Sequence, residues 1–527
     1  MAAIITDLLR VNNARNFIEK VRDPNKSYYT FLGLPNATEV ASTWNTSPPA
    51  PRDCFDDNNF YYDTMVALKK IGADDVRPVV RKIQWASATI YDAYRHDVNR
   101  NNLSKPSNKT SLYASNYFIV NSEFRVYICL SNGADPENPN GRPSLDEPRF
   151  TDLEPRVAGT SGDGYLWKYL YTISPSDIIK FDSLNFIPLP VDWESNSEYQ
   201  AVRSNATTSG QLKQITITNR GYLVGPANTT YSRVPIRGDG TGAECTIVIN
   251  NDSKVESVTI SSGGSGYTYG SVDLIGGNVP VGSTTPTFDV IIPPQGGHGY
   301  DIYKELGSTN VLIYSRIENN EQNPDFVTGT NVARIGIIEN PEGFESNVII
   351  TEDRVSALYG IVLKGLPPNQ DDYKTTTFEQ NAVITQTVGT GVTAVGRVVS
   401  YNAETGVLKY WQDRSLVGFN TDGTQRANPT YGLQLNEFSA GFITGGSLKI
   451  SGGSKELYID DGFGDDTNPG ISTVINNKTY YLGQTYIKGV ADPEAEKYSG
   501  TILYVDNRPS ITRSVNQRED IKVILQF

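Results

Sequence analysis

The chain has 527 residues, 38% of them hydrophobic and 20% charged, so it is globular and too long for one ordinary core; roughly two to four domains are expected. Its 47 Gly, 29 Pro and 31 Tyr favour strands and turns and exclude an all-helical protein. A formal net charge of −13 without any long basic run excludes a grip on a phosphate backbone, so no nucleic-acid partner is expected.

Cys54, Cys129 and Cys245 are widely spaced and form no Cys-x-x-Cys pair, which reads as free thiols in a reducing compartment. Asp7 and Arg10 interrupt the N-terminal apolar run too early for a signal peptide, and no stretch approaches a membrane span. The sequence therefore predicts a protein made in cytosol, without membrane insertion.

Along the chain, apolar spacing from Ile4 to Val21 predicts one broken or two short helices, with Asn12 and Asn13 as caps. Tyr28–Pro35 reads as a strand, and Asp63 as the cap of a helix holding Met65, Val66, Leu68 and Ile71 that is closed by Gly72. Ser111–Leu130 reads as a hairpin around Asn121 and Ser122, followed by a long polar loop over Asn132–Glu147, an interface candidate.

Gly162 and Gly164 then flank Asp163 in a turn that feeds an aromatic strand with Tyr165, Trp167, Tyr169 and Tyr171. Such a concentration of rings serves either as core or as contact surface. Ser174 and Pro175 stop the strand, and Asp177 starts a short helical turn over Ile178 and Ile179.

Composition shifts near Ser204. The stretch ITITNRGY at Ile215–Tyr222 recurs as VTISSGGSGY at Val258–Tyr267, a spacing of about 45 residues that marks a small repeated β-unit. Strands are expected over Val311–Ile317 and Val332–Pro341. GRVVSYNAETGVLKYW predicts a hairpin, and Thr501–Val505 and Ile521–Phe527 read as the last strands.

No motif carries catalytic chemistry. Gly238, Gly240 and Ala243 match a loose dinucleotide spacing, but a β-rich run follows where a helix is required. His96 and His298 are isolated and read as structural. Asp460, Asp461, Asp465 and Asp466 lack the spacing of a calcium loop and read as a solvated turn. No enzyme activity, cofactor or metal is expected. Tyr222, Tyr267 and Tyr269 are candidate sugar-stacking rings, because a tyrosine face beside carboxamides and carboxylates suits a carbohydrate ring.

Two stretches carry a resemblance, SGDGYLWKYLYTISPSD at Ser161–Asp177 and SGTILYVDNRPSITRSVNQREDIKVILQF at Ser499–Phe527. In the same order, they resemble the baseplate wedge protein family called gene product eight of contractile-tailed bacteriophages. The similarity extends over roughly Ala2–Val191, Gly296–Pro341 and the tail; the chain looks like a longer variant with extra β-rich insertions.

The resemblance implies an α/β (α+β) fold of predominantly β content, with layered sheets flanked by helices and long loops. It divides the chain into a core over 1–204, a Gly-rich repeat insert over 205–295, core again over 296–350, a second variable β-rich insert over 351–479, and C-terminal strands over 480–527 that complete the core. It further implies a non-enzymatic structural subunit of the virion tail baseplate, assembled in the host cytoplasm, pairing as a homodimer within each wedge and joining other baseplate wedge proteins. Candidate interface residues are Tyr165, Trp167, Tyr169, Asn507, Arg508, Arg513 and Arg518. A different reading is a tail-associated protein that binds host-surface carbohydrate through the Gly-Tyr module.

Overall fold

A computed structural model describes residues 5–35, 43–206, 208–318, 327–389, 392–413, 416, 442–444, 449–514 and 517–527. The protein is predominantly β, with 40% strand and 12% helix. It forms two compact units: Met1–Ile18 with Arg77–Ile313 and Val523–Phe527, and Glu19–Val76 with Tyr314–Lys522. Part of the second β-rich region, residues 417–441, lies outside the described residues.

In the first unit, Phe118–Val120, Arg125–Asn132 and Tyr165–Thr172 form an antiparallel sheet, the first two as the expected hairpin. Side chains alternate across a strand. Val126, Ile128 and Leu130 accordingly join one core with Leu170, Ile187, Trp193 and Ile302, while Tyr127 and Cys129 join another with Tyr165 and Trp167. Burial on both faces explains why these strands are nearly continuous runs of large residues. Helix Asp7–Arg22 is a single element with Asn12 and Asn13 inside it rather than capping a second helix, and its Val11 joins the first of these cores.

The Gly-rich repeat has a core of its own, whose buried members all fall between Leu212 and Ile292. Its two copies exchange partners. Strand Gln214–Asn219 of the first copy pairs with Thr287–Ile291 of the second, whereas Val255–Ser265 of the second pairs with Thr241–Ile249 of the first. Neither copy can bury its apolar face alone, and the exchange makes them one β-module.

The second unit contains a five-stranded antiparallel sheet ordered Arg354–Ser356, Met65–Lys70, Tyr28–Gly33, Asn331–Glu339, Thr501–Thr512. Here the expected helix over Met65–Ile71 is corrected: the helix is Phe55–Asp63, and Met65–Lys70 is a strand between two others with Met65, Val66, Ala67 and Leu68 buried. A short apolar run does not separate a buried strand from a buried helix by periodicity.

A second sheet contains the hairpin Val392–Asn402 and Val407–Trp411, as its Ala-Glu-Thr-Gly turn predicted, together with Tyr359–Lys364 and Leu457–Ile459. A separate ribbon, Gly470–Ile475 with Lys478–Tyr486, turns at Asn476 and Asn477, both at positive φ. The expected boundary between 479 and 480 falls inside this ribbon's second strand. The β-rich region continues at least to Val490–Ala491, which pairs with Tyr359–Lys364.

Candidate functional site

The aromatic strand starts from a turn that only glycine accommodates well. Gly162 and Gly164 have φ of 70° and 86°, and a Cβ on Gly164 would lie 2.7 Å from the Cα of Gly133. Between them, the Asp163 carboxylate accepts from Tyr165 N at 3.0 Å and from Leu145 N at 2.9 Å. The Tyr165 hydroxyl accepts from Tyr91 N at 2.9 Å and donates to Arg142 O at 2.8 Å. Tyr165 and Trp167 stack at 5.2 Å between ring centres, and both are fully buried.

These two rings therefore present no contact surface in the folded chain. Tyr165 instead anchors the loop Asn132–Glu147 through its bond to Arg142 O. Tyr169 is half-buried, with its hydroxyl 2.9 Å from that of Thr172. The loop is also braced within itself, because the Asp135 carboxylate accepts from Arg142 Nη2 at 2.6 Å and from Asn138 N at 2.7 Å. Those bonds to the ionised form hold the Asp135 pKa below its ordinary value against the opposing effect of burial.

The four C-terminal candidates separate by burial. Arg513 is 1% exposed and donates through Nε to Glu519 at 2.8 Å. The Asn507 carboxamide is used internally, accepting from Arg334 Nε at 2.8 Å and donating to Pro49 O at 3.0 Å. Arg508 and Arg518 are exposed, with Arg508 Nε donating to Asp506 at 2.5 Å. Only Arg508 and Arg518 of this group have guanidinium groups available at a surface.

Arg334 is the residue that sequence reasoning passed over. It is 1% exposed, its guanidinium carbon lies 4.7 Å from the Tyr61 ring centre and 5.7 Å from that of Trp44, and Nη1 donates to Thr64 Oγ1 at 2.5 Å. Trp44 Nε1 in turn donates to Arg508 O at 2.8 Å. A buried guanidinium is tolerable only with such partners. The available signal was a single Arg inside the apolar run VARIGII, on a strand with neighbours on both sides.

Of the Gly-Tyr rings, Tyr222 is 50% and Tyr269 63% exposed, whereas Tyr267 is 2% exposed, with its hydroxyl donating to Ile236 O at 2.9 Å. Tyr267 is a core ring of the repeat module and offers no stacking face. Gly238, Gly240 and Ala243 lie in or beside the hairpin of Thr230–Gly238 and Thr241–Ile249, with no helix to hold a pyrophosphate.

His96 Nδ1 accepts from Ile292 N at 3.2 Å, and burial lowers its pKa. His298 Nδ1 lies 2.6 Å from buried Glu305, whose other oxygen accepts from Gly299 N at 2.6 Å. The acidic turn is partly neutralised by two lysines: Lys364 Nζ donates to Asp460 and Asp461 at 2.9 and 2.7 Å, and Lys488 pairs with Asp466 at 3.2 Å. Among the described residues no group of His, Cys, Asp or Glu is arranged to hold a metal ion, and no helix is long and apolar enough to cross a membrane.

The geometry defines a predominantly β protein whose candidate residues divide between buried supports, the partly exposed loop Asn132–Glu147, the exposed Arg508 and Arg518, and the exposed rings of Tyr222 and Tyr269. No family model matches the chain, and the search of curated proteins finds no match.

Proposed function

We propose that the protein is a structural subunit of a phage tail baseplate wedge, pairing with a second copy and bridging neighbouring wedge proteins during tail assembly. The observation that carries this reading is the occurrence, in order, of the two long stretches at Ser161–Asp177 and Ser499–Phe527 that resemble the wedge family. With it goes a layered arrangement of sheets flanked by helices, virion localisation and the absence of catalysis. Support comes from the braced, polar loop Asn132–Glu147, since ordered loops on rigid sheets commonly carry contacts.

The test is capture. The intact chain, co-expressed with the other wedge proteins of its own phage, is expected to co-purify with them in fixed stoichiometry and to run as a dimer when alone. A monomer that captures no wedge protein refutes the reading. A second reading, attachment to host-surface carbohydrate, is favoured by the exposed rings of Tyr222 and Tyr269, and saccharide binding lost on changing both to Ala would support it.

A further inference from the structure

We infer that a cleft of the first unit binds an acidic saccharide, holding the carboxylate of one sugar ring beside Lys105. This goes beyond the assembly reading and stands without it. The cleft has a volume of about 280 Å³ and lies where the paired strands Gln214–Asn219 and Thr287–Ile291 face the segments that carry Arg95, Lys105 and Asp135. That volume is at the lower end of the range for small-molecule sites and suits one ring, not an extended chain.

The charged groups of the lining divide into used and unused ones. Arg95 donates to Asp97 at 2.8 Å and to Asp289 Oδ2 at 3.0 Å, and Asp135 is occupied by Arg142, Asn138 and, at 3.4 Å, Arg220. Lys105 lines the same cleft and makes no ion pair or hydrogen bond among the described residues. The four charged groups of the lining sum to zero, and exposed Lys105 is the one without an ion pair among the described residues, so its ammonium is the group an anion would meet. A carboxylate against an ammonium gains a charge-assisted hydrogen bond.

The rest of the lining suits a hydroxylated ring. The Thr216 hydroxyl and Asp289 Oδ1 are polar atoms of the cleft with no hydrogen bond among the described residues, one able to donate or accept and the other to accept. Thr216 and Asp289 are register partners across the strand pair, which fixes the two groups beside each other. Leu103 and Pro136 supply apolar surface for the C–H face of a ring. Tyr222 and Tyr269 are not part of this lining, so the cleft is a separate site from the exposed tyrosines.

The experiment is saturation-transfer NMR and calorimetry on the full chain with glucuronate, glucose and serine as probes. Saturable binding of glucuronate is expected, at least about tenfold tighter than glucose and weakened by added salt. Lys105→Met is expected to remove that preference, Thr216→Val to weaken glucuronate and glucose alike, and Tyr222→Ala with Tyr269→Ala to change neither. Equal binding of glucose and glucuronate, no saturable binding of glucuronate up to about 10 mM, tighter binding of serine, or undiminished binding by Lys105→Met would each overturn the inference. The glucose comparison and the salt dependence use the unaltered chain, so they decide the matter even where a variant does not fold.

Discussion

His298 pairs with a buried carboxylate whose one other hydrogen bond among the described residues is from Gly299 N and whose charge reaches buried Lys168. Its Nδ1 is 2.6 Å from Glu305, which is 4% exposed, and its ring meets Tyr94 edge-on at 4.7 Å. His298→Ala leaves Glu305 with the single bond from Gly299 N, and a loss of about 2–4 kcal/mol is expected in urea denaturation, against 1 or less for half-exposed His96→Ala. On this expectation His298, isolated in the sequence, carries stability through its contact with Glu305. Lys168 is a second buried charge: its Nζ donates to Leu153 O at 2.7 Å and Asn205 Oδ1 at 3.0 Å, and burial lowers its pKa to about 8 despite Glu305 and Glu154 nearby. The unfolded chain then binds more protons than the folded one between that value and the ordinary lysine value, so this group's contribution to stability rises with pH. This group's share is a gain of about 2 kcal/mol from pH 7 to 9.5, opposed by the buried cysteines and tyrosines whose pKa values are raised, so it is read as the difference between the pH dependences of the unaltered chain and Lys168→Met in urea denaturation.

At the scale of the element, the terminal strand was legible because Ile521, Val523 and Leu525 alternate with polar residues. The structure extends it to Arg518–Gln526, buries Ile521 and Val523, and sets the ring of Phe527 5.6 Å from Phe17. Removing the last seven residues strips two buried side chains worth roughly 1.5–3 kcal/mol each, besides the Phe527 contact and the ladder. A fall of several degrees in the first thermal transition is expected, and a shift within a degree or two would show the strand to be peripheral. The strand Met65–Lys70 was not legible, for a physical reason: MVALKK has no alternation to read, because its first four side chains are buried on both faces. The aromatic strand was legible as a strand but not in its role. Rings that serve a core and rings that serve a contact have the same composition, and only the packing of Tyr165 and Trp167 against Tyr91 decides between them. Arg334 was invisible for the complementary reason, since its partners Thr64 and Asn507 lie far away in the chain, whereas Glu305 pairs with His298 and Gly299 close by and carries no motif that marks it.

At the scale of the molecule, the repeat module and the exposed basic residues give separable tests. The module's ends meet, because a Cβ on Gly297 would collide with Ala206 O, so replacing 208–295 by a short Gly/Ser linker is expected to leave a folded remainder. That remainder loses the buried Ile291 side chain, the Ile292 N to His96 bond and the ion pairs of Asp289 with Arg95, Arg220 with Asp135 and Glu137, and Lys213 with Glu154, so a cost of at least about 2–3 kcal/mol is expected; aggregation at every linker length would show the module to be integral. For assembly, burial sorts the candidates. Altering Tyr165, Trp167 or Arg513 attacks the fold, so a loss of assembly there carries no information about a surface. Arg508 and Arg518 are exposed, and on a chain of net charge −13 two accessible guanidinium groups are natural contacts for an acidic partner. Arg508 already neutralises Asp506, and reversing it to Glu sets two like charges side by side without emptying a core. The double variant Arg508→Glu/Arg518→Glu is expected to melt within a few degrees of the unaltered chain yet, on the proposed assembly role, to lose at least about tenfold in affinity for the proposed wedge partners, with the weakening largest at low salt. Unchanged capture by this variant, verified as folded, would move the contact to the loop Asn132–Glu147. There Glu137, 59% exposed in its side chain and paired with Arg220 at 2.8 Å, is the charge to reverse next.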